Sequence, residues 1–275
     1  MRVILESPYA GRRKLMIPNI VHFMFFSGEN ARKFSYINYL AIKRASDVQQ
    51  PDVIYLYYDH DFPDNRHWQA ALQYVKPVKL TPPAILGGIK LIYPQYKADF
   101  VRLSQLYTSG GIYLDTDMIL LKKLNPLMGH ECVLGVESYV NHAIGSNTVD
   151  VEKVQSISNA LIMAEPKSRF IDLWLERMPD ALKSDIWAYH AVVLPMELYK
   201  ENIDLVSLQP KQSFVPFDFR DDFIFRVGSE AVIEGLRRLE GAYSIHMWET
   251  IWSDRMCEID DAYMENFNNT FTNLF

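Results

Sequence analysis

The stretch KADFVRLSQLYTSGGIYLDTD, residues 97–117, carries the clearest indication of the fold class of this chain. A helix is predicted over Gln95–Ser109, and the double glycine Gly110-Gly111 marks its end, since glycine is common just past a helix C-terminus. A buried strand is predicted over Ile112–Leu114, and the acidic triplet DTD follows it directly. A helix that leads through a turn into a buried strand is typical of an α/β sheet.

The sequence on both sides of this stretch alternates between strand and helix patterns. Further strands are predicted at Ile17–Phe26, Val53–Tyr58, Val78–Leu80, Met118–Leu121, Cys132–Val136, Ile157–Ala164, Leu205–Leu208 and Phe214–Phe217. Further helices are predicted at Phe34–Val48, Asn65–Val75, Arg169–Met178, Ile186–Tyr199 and Glu230–Leu239. This alternation predicts the α/β class with a parallel sheet. Such a sheet binds ligands at the carboxyl ends of its strands, so polar residues there are candidates for a site.

Length and composition exclude several classes of protein. The 275 residues suit one large domain, and a formal net charge of −6 excludes non-specific nucleic-acid binding as the main role. Cys132 and Cys257 are too few for a disulfide framework. No stretch approaches the ~20 apolar residues of a membrane-spanning helix, and no signal peptide is recognisable. We therefore expect a cytoplasmic protein that meets a membrane, if at all, from its surface.

Asp115 and Asp117 are the first candidates for chemistry. Two carboxylates at the end of an extended strand point to one face and repel each other unless a cation lies between them. Their oxygens suit Mg²⁺ or Mn²⁺, with diphosphate oxygens completing the coordination. The spacing alone is weak, because 19 aspartates give roughly one Asp-x-Asp by chance. A second copy, Asp59-His60-Asp61, is interpreted as a polar turn after a strand.

Asp99 and Arg102 lie three residues apart in the predicted helix and therefore share one of its faces. Two interpretations are open. The pair is an exposed ion pair, which stabilises a protein by well under ~1 kcal/mol. Alternatively, it is part of a ligand pocket, since the helix leads directly to the acidic strand end.

Around these residues the sequence resembles a known family. The pattern Lys-x-Asp-x-x-Arg, a helix, and Gly-Gly-x-Tyr-x-Asp-x-Asp is filled at every position of residues 97–117. The opening stretch IPNIVHFMFFSG, residues 17–28, is similar to the first strand of the same family. These are the Asp-x-Asp glycosyltransferases of the family 32 kind. They include yeast initiating α-1,6-mannosyltransferase, bacterial capsule and lipopolysaccharide sugar transferases and, more distantly, the clostridial glucosylating toxins.

The resemblance implies a fold and a reaction. The fold would be a single GT-A sandwich, a mainly parallel sheet with helices on both faces. Residues 1–121 would mainly bind the donor nucleotide, and residues 122–275 would complete the sugar and acceptor sites. The reaction would transfer a hexosyl unit from a UDP- or GDP-hexose, with Mn²⁺ or Mg²⁺ and with retention of anomeric configuration. The acceptor would be a glycan or lipid-linked glycan of bacterial capsule, O-antigen or lipopolysaccharide synthesis.

For the charged residues the resemblance implies specific roles. Asp115 and Asp117, together with His246, would hold the metal ion against the diphosphate. Asp99 would accept hydrogen bonds from hydroxyls of the donor sugar. Arg102 would contact the sugar or the diphosphate as a fixed cation.

The resemblance also implies contacts from aromatic and amide side chains. Phe25 stands where the family usually has a tryptophan that stacks on the nucleotide base, and Tyr113 would contact the donor ribose or sugar. Asn159 would help to line the sugar pocket. Trp248 and Trp252 belong to the family's His-x-Trp-x-x-Ser-Trp pattern, in which this chain lacks the serine.

Three other functions stay open at this point. They are a transferase that glycosylates a host protein, a silent homologue that only binds sugar, and a different Mg²⁺-dependent enzyme with a phosphate substrate. Intact Asp115 and Asp117 argue against the silent homologue. The third class lacks support, because the sequence has no Gly-x-x-x-x-Gly-Lys-Ser/Thr loop.

Overall fold

The computed structural model describes residues 16–27, 33–140 and 149–275. In chain order, the strands of this part are β1 (Ile20–Phe25), β2 (Val53–Tyr58), β3 (Lys76–Lys79), β4 (Ile85–Leu86), β5 (Ile89–Lys90), β6 (Gly111–Leu114), β7 (Met118–Leu120), β8 (Cys132–Tyr139), β9 (Val154–Ala164), β10 (Val206–Gln209) and β11 (Ser244–His246). The α-helices are α1 (Tyr36–Arg44), α2 (Arg66–Ala71), α3 (Pro94–Ser109), α4 (Arg169–Ala181), α5 (Leu194–Glu201), α6 (Lys211–Phe214), α7 (Ser229–Arg238), α8 (Ser253–Glu258) and α9 (Asp261–Asn266). Two π-helical turns span Ala45–Gln49 and Tyr189–Val193.

Seven of these strands form one sheet in the order β10-β8-β9-β6-β1-β2-β3. β1 pairs in parallel with β2 and β6, β2 with β3, and β8 with β10. β9 runs antiparallel to both of its neighbours, β6 and β8, so that β6 and β8 point the same way. Two short antiparallel pairs lie outside this sheet, β4 with β5 and β7 with β11. The predicted α/β class with a mainly parallel sheet is confirmed.

Alternation along β1 divides the core into two layers. Val21, Phe23 and Phe25 belong to a buried cluster that also contains residues of α1. Met24 and Phe26 belong to a second cluster that contains residues of α3 and α4. Successive side chains of a strand point to opposite faces of the sheet, so helices cover both faces. Within the described residues, no helix is both long and apolar enough to cross a membrane.

Three predicted elements differ from the structure. The strand predicted to resume at Met118–Leu121 does not extend β6, because β7 leaves the large sheet and pairs with β11. The strand predicted at Phe214–Phe217 is wrong, since α6 occupies its start and Pro216 has no N–H to donate to a sheet. The helix predicted at Ile186–Tyr199 begins as a π-helical turn and becomes α5 only at Leu194.

Gly110 and Gly111 allow close packing where α3 meets β6. Their φ angles are +66° and +115°, a region of backbone conformation that favours glycine. A Cβ added to Gly111 would lie 2.6 Å from the carbonyl oxygen of Ile20, at the start of the neighbouring strand β1. The double glycine therefore fixes both the end of α3 and the distance between β6 and β1.

His22 joins β1 to the same double glycine from inside the core. Its Nε2 lies 2.9 Å from the carbonyl oxygen of Gly110, and its Nδ1 lies 3.2 Å from the Tyr57 hydroxyl. Burial lowers the pKa of His22 to about 4, although the Gly110 carbonyl acts in the opposite direction. This histidine is a neutral structural residue with both ring nitrogens engaged.

We expect Gly111→Ala to lower the free energy of unfolding by about 2–4 kcal/mol, because the new Cβ meets the backbone of β1 and the positive φ is strained. Gly241→Ala, at φ +83° with open space around its Cβ, should cost the strain alone, about 1 kcal/mol. Gly129→Ala, with open space and an ordinary φ, is the control. Urea unfolding measures all three. Equal losses for Gly111→Ala and Gly241→Ala would contradict the steric argument.

Acid should destabilise the protein through His22. Its folded-state pKa of about 4 lies below the ordinary 6.5, so the unfolded chain binds the proton first as the pH falls. Its contribution to stability is complete above pH 6.5 and is lost between pH 6.5 and pH 4. From pH 7 to pH 5 we expect the wild type to lose about 2 kcal/mol more than His22→Gln does in urea unfolding. Parallel pH profiles for the two proteins would refute this assignment.

Candidate functional site

A cavity of about 420 Å³ opens at the carboxyl ends of β1 and β6. α3 contributes Ala98 and Arg102 to its wall, and Tyr113 lines it from β6. The remaining wall comes from the end of β1, the DTD triplet and the segment that follows β11. The position agrees with the rule that open α/β sheets bind ligands beyond the carboxyl ends of their strands.

The DTD triplet is a tight turn and not an extended strand end, which corrects the predicted geometry. The backbone N–H of Met118 donates to the carbonyl oxygen of Asp115 at 2.9 Å, which closes the turn. The N–H of Asp115 donates to the carbonyl oxygen of Ala160 in β9 at 2.8 Å. Both Asp115 and Asp117 nevertheless line the cavity.

Strand pairing brings His246 to the aspartates. His246 lies opposite Met118 in the β7–β11 pair, and the N–H of Met247 donates to the carbonyl oxygen of Asp117 at 3.0 Å. His246 Nε2 is 3.4 Å from Asp117 Oδ1. One candidate ligand atom from each of Asp115, Asp117 and His246 lies within 4.8 Å of the others.

This group of donors fits a divalent cation. Two carboxylates and one imidazole are the oxygen and nitrogen ligands that Mn²⁺ accepts. Burial and the neighbouring Asp117 raise the pKa of Asp115, although Arg102 acts in the opposite direction. The buried Nδ1 of His246 has no hydrogen-bond partner in the part of the chain that the structure describes. Close carboxylates and an unpartnered ring nitrogen are what a cation would stabilise.

Arg102 is a buried cation on the wall of the same cavity. Its Nη1 lies 3.2 Å from Asp115 Oδ1 and donates to the carbonyl oxygen of Asn159 at 2.7 Å. Its Nη2 lies 3.1 Å from Asp99 Oδ1, and its guanidinium stands 4.2 Å from the centre of the Tyr113 ring. Burial would lower the pKa of Arg102, but the surrounding acidic groups raise it, so the charge is kept. With the Arg102 side chain only 6% exposed, the pair with Asp99 is not a surface ion pair.

Asp99 lies behind Arg102 and not on the cavity wall. Its Oδ1 accepts a hydrogen bond from Asn159 Nδ2 at 2.9 Å, and its Oδ2 lies 2.9 Å from His190 Nε2. Protein groups therefore already engage both oxygens that were predicted to accept from sugar hydroxyls. Asn159 is likewise engaged with Asp99 and Arg102 and does not line the cavity. No sequence pattern pointed to His190, which lies in the π-helical turn.

The predicted aromatic contacts divide into two groups. Tyr113 and Trp248 line the cavity, and the Tyr113 hydroxyl donates to Asp115. The prediction for Phe25 is wrong in this structure, because its ring is 1% exposed and packs edge-on against core rings. The alternation of β1 turns Phe26 to the cavity instead. Trp252 borders a separate cavity, and its Nε1 donates to the carbonyl oxygen of Phe219 at 2.8 Å.

The second acidic triplet, Asp59-His60-Asp61, lies outside the cavity that these residues line. Asp59 follows β2, and its Oδ1 accepts a hydrogen bond from the backbone N–H of Ser27 at 2.9 Å. Asp61 is exposed and pairs with Lys79. Neither aspartate lines the cavity that holds Asp115. A bend after a strand, tied to the end of β1, accounts for this triplet.

Glu137, near the carboxyl end of β8, is a further candidate site residue that was not predicted from the sequence. Its Oε2 is buried and has no hydrogen-bond partner among the described residues. Burial raises the pKa of Glu137 to about 7. One feature of the sequence could have indicated Glu137: it is a polar residue directly after the predicted strand Cys132–Val136. In the structure this strand runs in the same direction as β6, so both strands end at the same edge of the sheet.

Comparisons with known proteins agree with this geometry. A family model described as the glycosyltransferase sugar-binding region containing a DXD motif matches residues 38–134. Glucan organizing enzyme 1 of Cryptococcus neoformans var. grubii is 26% identical over 276 residues, which cover 98% of this chain and 73% of that protein. Human lactosylceramide 4-alpha-galactosyltransferase is 26% identical over 165 residues, which cover 55% of this chain and 40% of that protein.

Among solved structures, the fold is similar to that of the WbbM bifunctional glycosyltransferase. The TM-score is 0.50 at 12% sequence identity, and the match covers 86% of this chain and 46% of that chain. At this identity the likeness concerns the fold alone. The mainly parallel sheet described above is thus similar in fold to a solved glycosyltransferase.

Mn²⁺ binding tests the donor group directly. We expect Asp117→Asn to weaken Mn²⁺ binding at least ~10-fold, because one of two carboxylate ligands loses its charge. Asp61→Asn, at an exposed residue of the second acidic triplet, is the matched control and should stay within ~2-fold of the wild type. Water-proton relaxation enhancement, measured with Mn²⁺ alone and with added UDP, gives the affinities. Unchanged binding in Asp117→Asn, or loss in Asp61→Asn, would show that the wrong pair has been chosen.

Proposed function

We propose that the chain is a glycosyltransferase of the kind whose sugar-binding region contains a DXD motif, and that it transfers a hexosyl unit from a nucleoside diphosphate sugar to a hydroxyl of a glycan. Its mainly parallel seven-stranded sheet is of the GT-A type. The finer parts of this proposal are use of a divalent cation, a UDP- or GDP-hexose as donor, and retention of anomeric configuration, which the family resemblance implies.

One observation carries the proposal. Asp115, Asp117 and His246 converge at the cavity wall, and the buried cation Arg102 stands beside them. Bound there, Mn²⁺ or Mg²⁺ would offset the charge that grows on the departing diphosphate. A site that offers a cation-binding group and a fixed positive charge together suits a doubly charged leaving group.

In this proposal Arg102 stabilises the leaving group directly. Asp99 and Asn159 hold its guanidinium in one orientation, so little reorganisation is needed when charge develops. Arginine presents a planar set of donors that matches phosphate oxygens better than the point charge of lysine does. Asp99 and Asn159 then act through Arg102 as positioning residues.

The bond changes balance without a protein nucleophile. The bond between the anomeric carbon and the diphosphate oxygen breaks, and the acceptor oxygen bonds to that carbon. The proton of the acceptor hydroxyl leaves with the nucleoside diphosphate. Attack from the face that the diphosphate leaves would retain the configuration.

The two parts of the chain are proposed to divide the substrates. Residues 1–121 would mainly bind the donor, with Phe26 and Tyr113 on the cavity wall, and residues 122–275 would complete the sugar and acceptor sites. The names of the two curated relatives mention a glucan and lactosylceramide, so a glycan or lipid-linked glycan is the proposed acceptor. Capsule, O-antigen or lipopolysaccharide synthesis would be a bacterial form of that class, whereas these two relatives are eukaryotic.

A panel of nucleotide sugars tests the reaction. We expect one or more of UDP-glucose, UDP-galactose, UDP-N-acetylglucosamine and GDP-mannose to be hydrolysed with Mn²⁺, and excess chelator to abolish the reaction. Asp115→Asn should lower kcat at least ~100-fold, on the scale of losing one electrostatic stabiliser. Arg102→Lys should lower it at least ~10-fold, because the charge is kept but its fixed geometry is lost.

Asp180→Asn is the control for the hydrolysis assay. The Asp180 side chain is exposed and forms an ion pair with Lys183, another exposed residue. It should leave kcat unchanged within ~2-fold. Full activity in chelator would refute the cation. A folded wild type that binds a nucleotide sugar without turnover would favour the silent homologue over an enzyme.

A further inference from the structure

A second cavity borders the first at Trp248. Its volume is about 300 Å³, near the lower end of the ~300–1,000 Å³ of small-molecule sites. Trp248 lines both cavities and is therefore a wall that they share. A ligand in the second cavity would lie next to a sugar held in the first.

Glu137 gives the second cavity an unused hydrogen-bond acceptor. It lies on the cavity wall, and its buried Oε2 has no partner in the described residues. Buried polar groups in proteins are nearly always paired, and exceptions call for an explanation such as an absent ligand.

The other walls of the second cavity combine several polar groups with two aromatic rings, those of Phe219 and Trp248. The hydroxyls of Ser138 and Ser156 lie 2.6 Å apart, and Asp218 accepts from Lys211 at 2.7 Å. Arg220 also lines the cavity. Trp248 is held in place because its Nε1 donates to the carbonyl oxygen of Phe217 at 3.0 Å.

This lining selects the chemistry of the ligand. The walls carry no strong charge of one sign, because Asp218 is paired with Lys211, Arg220 has the opposite charge, and burial raises the pKa of Glu137 to about 7. A ligand with many hydroxyls can donate to carboxylates and exchange hydrogen bonds with serine hydroxyls. An indole ring provides an apolar surface for the C–H face of a sugar ring. A neutral sugar fits all of these requirements.

We propose that the second cavity is the acceptor subsite, in which the Glu137 carboxylate accepts a hydrogen bond from a hydroxyl of the acceptor sugar. This proposal rests on the proposed function, because it takes the first cavity as the donor site. Glu137 then orients the acceptor so that its reacting hydroxyl extends past the edge of the Trp248 ring to the donor sugar in the first cavity. Its loss should affect the transfer to a sugar while the cleavage of the donor by water continues.

The kinetic test separates transfer from hydrolysis. The donor is the nucleotide sugar that the wild type hydrolyses, and the acceptor probes are the methyl α-D-glycopyranosides of glucose, galactose and mannose. Glu137→Gln should lower kcat/KM for transfer to the probe at least ~10-fold and leave donor hydrolysis within ~2-fold. Unchanged transfer, or equal losses of transfer and hydrolysis, would overturn the proposal.

A second variant fills the cavity without disturbing the core. Gln155 is exposed at the cavity wall, so Gln155→Trp should block the subsite while the protein stays folded. Gln73→Trp is the matched control, because Gln73 is an exposed glutamine away from both cavities. Transfer should fall at least ~10-fold in Gln155→Trp and stay within ~2-fold in Gln73→Trp. Equal transfer rates in these two variants would overturn the proposal.

A binding measurement without donor distinguishes this proposal from the proposed function. Saturation-transfer NMR should give a signal from the wild type to at least one of the three methyl glycosides. The signal should fall in Glu137→Gln and Gln155→Trp and persist in Gln73→Trp. This result would support the subsite even if no nucleotide sugar were turned over. No signal with any probe, or equal signals in all four proteins, would overturn it.

Discussion

The buried positive charge of Arg102 is the constraint on which the site depends. A guanidinium in the protein interior must be paired, because removing one partner of a buried ion pair costs about 3–5 kcal/mol. Here the partners are Asp99 from its own helix and Asp115 from the turn after β6. The same charge therefore ties α3 to the DTD turn and offers a cation to the cavity. Stability and the proposed chemistry draw on one set of contacts.

Asp99 is a second consequence of that constraint. Its carboxylate is shared among Arg102, Asn159 and His190, so three separate chain segments meet at one buried group. Such a network fixes orientation better than a single contact can, because each member restricts the others. The sequence motif around Asp99 thus encodes a support for Arg102 as much as a contact for a ligand.

Local periodicity predicted much of the fold. The bounds of β2 were predicted correctly, and α3 begins one residue earlier than predicted. These elements follow from the apolar pattern and from punctuation by proline and glycine, which act over a few residues. β7 was misjudged because its partner is β11, which is far away in the sequence. Phe214–Phe217 has a strand-like composition, but its backbone continues from α6 and contains a proline.

The candidate site was also predictable in part, through the family resemblance. The resemblance brought Asp115, Asp117 and His246 together as a group, and the structure places them within reach of one ion. Phe25 was assigned to the wrong face because a continuous apolar run does not reveal which alternate residues face a cavity. Glu137 and His190 meet the site only through long-range packing, which a single sequence does not display.

The pairing of β7 with β11 also sets the order in which the site can be assembled. Asp115 is held by β9 through the Ala160 carbonyl oxygen, whereas Asp117 accepts hydrogen bonds from Met247 and Glu249, and His246 belongs to the last quarter of the chain. The entropy of closing such a long loop is lost before the contact between β7 and β11 can form, so we expect this pairing to form late in folding. A half-synthesised or clipped chain can therefore present the two carboxylates without the imidazole. Competence to hold a cation with all three ligands is gained only once the C-terminal segment has docked.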